Sequence, residues 1–433
     1  MNPTTSSMSR SPHRPTRTSM FPCTTFNGAY LLDTCFDAAI IARCVRIATN
    51  MRPPLKILHL SSFVGNIGDN ASHIGFHTIL SRFFPDGYQI TQLEVRKSYG
   101  IYTLQDRWCF DDRFAALANQ HDLLVIGGGV FLNFWIKNSV TGTTLDISAD
   151  VWAKIKTPIL ITSVGCVPNS EIPDGNVDKF RNFLDLLLAS RNTVLAVRND
   201  GSKGVLAEYV GKSYADRLPE VLDSAFFFNT SENPYHALPR KYIAVNVTLD
   251  QIRARWGTIQ VDEEIYYDEL QKVMTHLLTN TDFDLVFVPH IYTDHLAIAR
   301  ALSGMNDFHV RSRIQIAPYA QGDAGCKLLF SVYKASGLVV GTRFHSNVCS
   351  LAMDVPGIGL VALDTVKNMY DGLHLSDRYV RLDRRFGDDL IAKIRAAFEN
   401  RTDLIQTSKR ECDVKRAQTI DMYDRFFSQL GLR

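Results

Sequence analysis

Residues 337–340 form a short apolar run that stops at Gly341, residues 344–353 then carry Val348, Leu351 and Ala352 at helical spacing, and residues 355–360 form a second apolar run. Two buried strands this close together on either side of one helix read as a single unit of a parallel α/β sheet. In open sheets of that kind, ligands settle outside the carboxyl ends of the strands. Arg343, His345 and Ser346 stand at such an end. A fixed cation beside a titratable imidazole there points to chemistry on an anion.

The same alternation runs through most of the chain. In the first half, strands are expected at 55–60, 122–126, 158–164 and 193–197, and helices at 71–84, 176–189 and 201–209, with a glycine-containing loop over 61–70. Asn, Ser, Pro and His accumulate over 229–240, where periodicity is lost, and this marks a linker. Beyond it, strands at 242–248, 285–289 and 314–318 alternate with helices at 263–278, 294–302 and 322–335. Residues 388–430 hold two amphipathic helical patterns, the last with Ile420, Tyr423, Phe427 and Leu430 on one face. The expected fold is α/β: two Rossmann-like parallel-sheet domains facing a cleft, GT-B-like, with C-terminal helices. The domains are placed at 54–230 and 241–400, followed by a helix over 401–433. No internal repeat is visible in the sequence.

At 433 residues the chain is too long for one ordinary core and suits two domains. A formal net charge of +2 gives no field that argues for nucleic acid, and no apolar run reaches the ~18–20 residues of a membrane span. The eight cysteines are scattered, with no C-x-x-C pair, which argues against a zinc site and a disulfide framework and for a reducing compartment. Residues 1–19 are rich in Ser, Thr, Pro and Arg and hold no acid. That bias resembles a transit peptide, yet residues 29–47 are interrupted by Asp33, Asp37, Arg43 and Arg46. A disordered extension over 1–53, or a start codon assigned too far upstream, is the expectation.

Several strand ends carry candidate site residues. Gly65-Asn66-Ile67-Gly68-Asp69-Asn70 lies between strand and helix, where glycines admit a ligand to the backbone and helix-end N–H groups favour an anion; it reads equally well as a turn with a helix cap. Gly127-Gly128-Gly129 offers the same pair of readings. Arg198 ends another strand, and its planar fork matches phosphate oxygens two at a time, although a solvated rim residue is the plainer reading. His290, after Val288-Pro289 and before Asp294, is ambiguous alone. Neither a G-x-G-x-x-G fingerprint nor a G-x-x-x-x-G-K-[ST] loop is present.

Taken together, an ordered set of these segments resembles the polysaccharide pyruvyl transferase family. The set comprises Asn66-Ile67-Gly68-Asp69, Val125-Ile126-Gly127-Gly128-Gly129, Val197-Arg198-Asn199-Asp200-Gly201-Ser202, Leu222-Asp223-Ser224-Ala225-Phe226, Val288-Pro289-His290, and Gly341-Thr342-Arg343-Phe344-His345-Ser346 followed by Leu351-Ala352-Met353-Asp354-Val355-Pro356. It spans from about Lys56 to Lys367. The family more often has Arg-Asp at Arg198-Asn199, Pro at Ser224 and Gly at Asp354.

The resemblance implies transfer of the pyruvate unit of phosphoenolpyruvate to a sugar, usually as a ketal bridging two hydroxyls, with release of phosphate. It implies His345 and Arg343 as catalytic residues and Arg198, Arg343 and Ser346 as donor contacts. Asp69, Asn66, Gly127, Gly128, Gly129 and His290 would shape the acceptor side. A general imidazole pKa near ~6.5 lets a histidine give or take a proton near neutrality. Phosphoenolpyruvate is a co-substrate, so no cofactor and no metal is expected. The expected partners are phosphoenolpyruvate and a glycan or lipid-linked sugar, at a cytoplasmic location with peripheral contact at the inner face of the membrane left open. Two rivals remain: a GT-B glycosyltransferase using a nucleotide sugar, and a catalytically silent carbohydrate-binding relative.

Overall fold

Short apolar runs with β-branched residues become strands here because each is covered by helices on both faces. The computed structural model describes residues 53–433 apart from 169, 236 and 255–260. The extension expected over 1–53 therefore lies, up to residue 52, outside the described residues. The strands are β1 (Leu55–Ser61), β2 (Tyr88–Glu94), β3 (Leu123–Gly127), β4 (Ile159–Val164), β5 (Thr193–Arg198), β6 (Glu220–Val221), β7 (Tyr242–Asn246), β8 (Asp284–Phe287), β9 (Ile314–Ile316), β10 (Leu338–Gly341), β11 (Gly357–Val361) and β12 (Tyr379–Arg381).

They form two six-stranded sheets with the orders β2-β1-β3-β4-β5-β6 and β12-β11-β10-β7-β8-β9, and every pairing is parallel. In each sheet the strand order reverses at one place, between β1 and β3 in the first and between β7 and β10 in the second. A crevice opens outside the strand ends at such a reversal, because the two flanking connections leave in opposite directions.

Apolar side chains on the sheet faces meet the covering helices. Ile57, Val125 and Leu160 of the first sheet pack with Phe76, Ile79 and Leu80 of the helix Ile67–Phe83. One core crosses between the halves: Ile67, Ala71 and Phe226 join Val288, Leu329 and Val348. The last helix, Arg401–Gln429, returns from the second half to the first, burying Tyr423, Phe426 and Phe427 beside Phe76 and Phe83. Its Tyr423 hydroxyl pairs with Thr162 at 2.9 Å, and Arg416 donates to the carbonyls of both Phe226 and Ala352. The helix expected over 401–433 thus ties the two halves together.

The structure departs from the expected elements in a few places. The first helix begins at Ile67 rather than 71, because the Asn66 side chain caps it by accepting from the Gly68 N–H at 3.0 Å. Strand β2 lies at a sheet edge and is mostly exposed, so it has no apolar run to betray it. The helix expected over 201–209 is a short α turn, Ser202–Val205, followed by a π turn, Leu206–Val210.

Candidate functional site

Both reversal points open onto one cavity of about 150 Å³. Its walls are the residues that follow strand ends: Asn66 and Asp69 after β1, Gly129 and Val130 after β3, Val167 after β4, and Arg198 closing β5. The second sheet contributes Gln251 after β7, His290 after β8, Arg343, Phe344 and His345 after β10, and Leu363 and Thr365 after β11. Parallel strands aim all their carboxyl ends one way, which is how segments far apart in sequence converge here.

Arg343 is set by its own half. Asn246, the last residue of β7, accepts from the Arg343 N–H through Oδ1 at 2.9 Å, while its backbone carbonyl accepts from the Thr342 N–H at 3.1 Å and hydroxyl at 2.9 Å. The guanidinium donates through Nε to both oxygens of Asp294, at 2.9 and 3.1 Å, and through Nη2 to Asp294 and to Asp250, the latter at 2.7 Å. Burial opposes the charge on Arg343, but Asp294 and Asp250 more than restore it, so its proton is held more tightly than usual. No described residue accepts from its Nη1. Asp294 is fixed in turn by the His290 N–H at 2.8 Å.

Arg198 is buried on the opposite wall. It meets Asp200 through Nε at 2.8 Å and Nη2 at 2.7 Å, and Asp223 through Nη1 at 3.1 Å. The Phe344 ring lies 4.6 Å from its guanidinium carbon, a cation–π contact made across the two halves. His345 Nε2 lies 3.5 Å from the same Asp223 oxygen. That separation is an ion-pair contact and too long for a well-formed hydrogen bond, which leaves the buried Nε2 otherwise unpartnered. Burial pushes the Asp223 carboxyl up, yet His345 and Arg198 outweigh it and hold the acid well below the usual carboxylate range.

The His345 ring is backed by Gly68 in the first turn of the first helix. A Cβ on Gly68 would sit 2.5–2.6 Å from the imidazole, so only glycine allows the two halves this close an approach. His290 is fully buried, with Nε2 at 2.8 Å from the Tyr333 hydroxyl and Nδ1 unpartnered. Burial first, then the Arg343 and His345 charges, lower its pKa well below the imidazole norm, so it is neutral near pH 7.

The remaining sequence candidates are placed unevenly. Ser346 is wholly buried off the cavity, its hydroxyl donating to the Arg343 carbonyl at 2.6 Å, which corrects its expected role as a donor contact. Asn66 reaches the wall but is occupied as the helix cap. Asp69 also reaches it, paired with Arg96 at 3.0 Å. Of the three glycines only Gly129 lines the cavity. Gly127 instead ends β3 where a Cβ would lie 2.3 Å from the Thr162 carbonyl oxygen, and Gly128 turns the chain at φ 76°. The residues missed from sequence are Asp223, Asp250, Asn246 and Gly68. Asp223 and Gly68 stood inside recognisable motifs, whereas Asp250 gave no local signal.

Comparison with known proteins then fixes the family. The model of the polysaccharide pyruvyl transferase family matches residues 65–362. The chain belongs to this family. No curated protein matches it by sequence. Among solved structures it is similar to a trehalose-phosphate synthase (UDP-forming) from Burkholderia vietnamiensis, at 12% identity and TM-score 0.51 over 88% of this chain and 98% of that one. It is also similar to a glycosyltransferase from Rickettsia africae, at 11% identity and TM-score 0.50 over 88% and 99%. Likeness at this identity speaks for the fold alone: a two-domain GT-B arrangement. Family membership makes the chain a transferase acting on polysaccharide.

Three positions where the chain departs from the family pattern have local explanations. Asp354 takes φ 59°, a left-handed conformation that glycine adopts freely, and its carboxylate meets Lys409 at 3.1 Å. The Ser224 N–H, which proline would lack, donates to Ser163 Oγ at 3.3 Å. Asn199 Oδ1 accepts from the Asp223 N–H at 2.8 Å, an acceptor role an aspartate also fills. None of the three alters a cation on the cavity wall. No helix among the described residues is long and apolar enough to cross a membrane.

Proposed function

We propose that this protein transfers the pyruvate unit of phosphoenolpyruvate to a glycan, closing a ketal on two sugar hydroxyls and releasing phosphate. The observation that carries the reading is the meeting of Arg198, Arg343 and His345, from opposite halves, on one small cavity. Phosphoenolpyruvate presents a phosphate and a carboxylate on a three-carbon frame, and two guanidiniums suit two anionic groups. At about 150 Å³ the cavity suits a compact three-carbon donor.

The carboxylates around each arginine have a physical role in this reading. They offset much of the positive charge, but they lock both guanidiniums in place before the donor arrives, so little side-chain freedom is lost on binding. His345, beside Asp223, gives a proton to the C3 methylene while the first sugar hydroxyl bonds to C2. The imidazole then takes that hydroxyl's proton. The bond from C2 to the phosphate oxygen breaks with its electron pair leaving on phosphate, steadied by the arginines. The second hydroxyl closes on the electron-poor C2, and its proton leaves with phosphate. Neutral His290, its Nε2 at the Tyr333 hydroxyl, keeps an unpartnered Nδ1 as a further polar group beside the cavity.

The test is incubation with phosphoenolpyruvate and candidate glycans, followed by phosphate assay and mass spectrometry. Phosphate released in step with pyruvate gained by the glycan supports the reading. Turnover with a nucleotide sugar as sole active donor refutes it.

A further inference from the structure

Beside the first cavity lies a larger one of about 700 Å³, and Val167, Leu363 and Thr365 are common to both. Its volume falls within the roughly 300–1,000 Å³ that encloses a small molecule. One wall is built by Gly204, Glu208 and Tyr209 of the first half, the other by the segment after β11 and by Arg381 at the end of β12. The Glu208 and Tyr209 stretch is wound as a π turn, a rare form concentrated at functional sites. Phe134 holds the Tyr209 ring at a centroid distance of 5.6 Å while the ring stays partly open to solvent.

The chemistry of these walls is mixed in sign. Glu208 and Arg381 make no ion pair among the described residues, so a carboxylate acceptor and a guanidinium donor both remain available. A sugar presents hydroxyls that donate and accept, together with a C–H face that lies against an aromatic ring. A polyanion would instead meet the Glu208 carboxylate unfavourably. By contrast, on the Asn66 and Asp69 side both residues are already engaged, by the Gly68 N–H and by Arg96.

We propose that the second cavity holds the acceptor sugar, which reaches over the shared Val167, Leu363 and Thr365 sill to present its hydroxyls to the donor beside His345. The inference rests on the pyruvyl-transfer reading and moves the acceptor from the Asn66 and Asp69 side to the Tyr209 and Arg381 side. Glu208 and Arg381 hold ring hydroxyls, and Tyr209 covers one sugar face.

Gly204→Trp tests it. A Cβ at Gly204 meets nothing within 4 Å and the glycine does not have a left-handed φ, so a side chain is tolerated at this lining position and an indole there is expected to narrow the cavity. Wild type and variant are titrated with phosphoenolpyruvate by calorimetry, then assayed with that donor and a library of soluble oligosaccharides by mass spectrometry. The expected result is phosphoenolpyruvate affinity within about twofold of wild type, with the acceptor KM raised on the order of tenfold or more. An unchanged acceptor KM and kcat overturns the placement, as does donor binding by wild type with no sugar modified. A wild-type protein that binds no phosphoenolpyruvate refutes the functional reading itself. Turnover of a nucleotide sugar that Gly204→Trp abolishes assigns the cavity to that ligand instead and also overturns the placement.

Discussion

The two cavity arginines are held in different ways. Arg343 finds both of its carboxylates, Asp294 and Asp250, within its own half. Arg198 shares one of its two, Asp223, with His345 of the opposite half. One cation is therefore set independently of His345, and the other is coupled to it through a single buried acid. In the proposed reaction the contrast gives them separate tasks: Arg343 fixes the donor, while Arg198 and His345, joined through Asp223, align donor and proton across the two halves. Gly68, against the His345 ring, allows the close approach of the two halves at that point.

The largest effect is expected where the proton moves. His345→Ala should lower turnover by about 10²- to 10⁴-fold, the usual weight of general acid–base catalysis, while phosphoenolpyruvate still binds; calorimetry beside a phosphate-release assay checks both halves of that statement. Next comes the shared acid. Asp223→Asn removes countercharge from Arg198 and His345 together and should cost about 3 kcal/mol in urea unfolding, near the low end for breaking a buried ion pair because Asp200 remains. The paired loss of turnover should shrink when the same change is made in a His345→Ala background. If the two losses simply add, Asp223 and His345 are not coupled.

Arg343→Lys is expected to weaken phosphoenolpyruvate binding by about 10- to 100-fold, the ~1.5–3 kcal/mol of a hydrogen bond to a charged group, without moving the pH profile of kcat. A shifted profile would erase the distinction between the arginines. The smallest effect concerns a histidine cluster of the first half. His59 and His77 have their pKa values lowered mainly by burial, His77 to about 4. The unfolded chain then binds more protons than the native one between pH ~6.5 and ~4, so stability is full above pH ~6.5 and declines as pH falls through that window. Urea titrations across it should show the decline, and His77→Gln should flatten part of it.

Legibility in the sequence followed burial. The central strands were readable because both faces are covered and their sequences are continuous apolar runs, as in residues 123–126 and 338–340. Edge strands were not: β2 reads YQITQLE, with one side wet, and β6 and β12 have only two and three residues. Arg198, Arg343 and His345 were found because they sit at the ends of legible strands. Their pairing with carboxylates was not legible, since the contacts of Arg343 with Asp250 and Asp294 span 93 and 49 residues and exist only after β7, β8 and β10 lie side by side. The triple glycine misled for a similar reason. Gly127 is required by a neighbouring strand's carbonyl, a contact no local pattern encodes.

The most direct test of the central claim is phosphorus NMR of the protein mixed with phosphoenolpyruvate and a glycan it accepts. Pyruvyl transfer predicts that the phosphoenolpyruvate signal gives way to inorganic phosphate in step with pyruvate appearing on the sugar, and that His345→Ala stops both. Phosphoenolpyruvate left intact while a nucleotide sugar is consumed would contradict it.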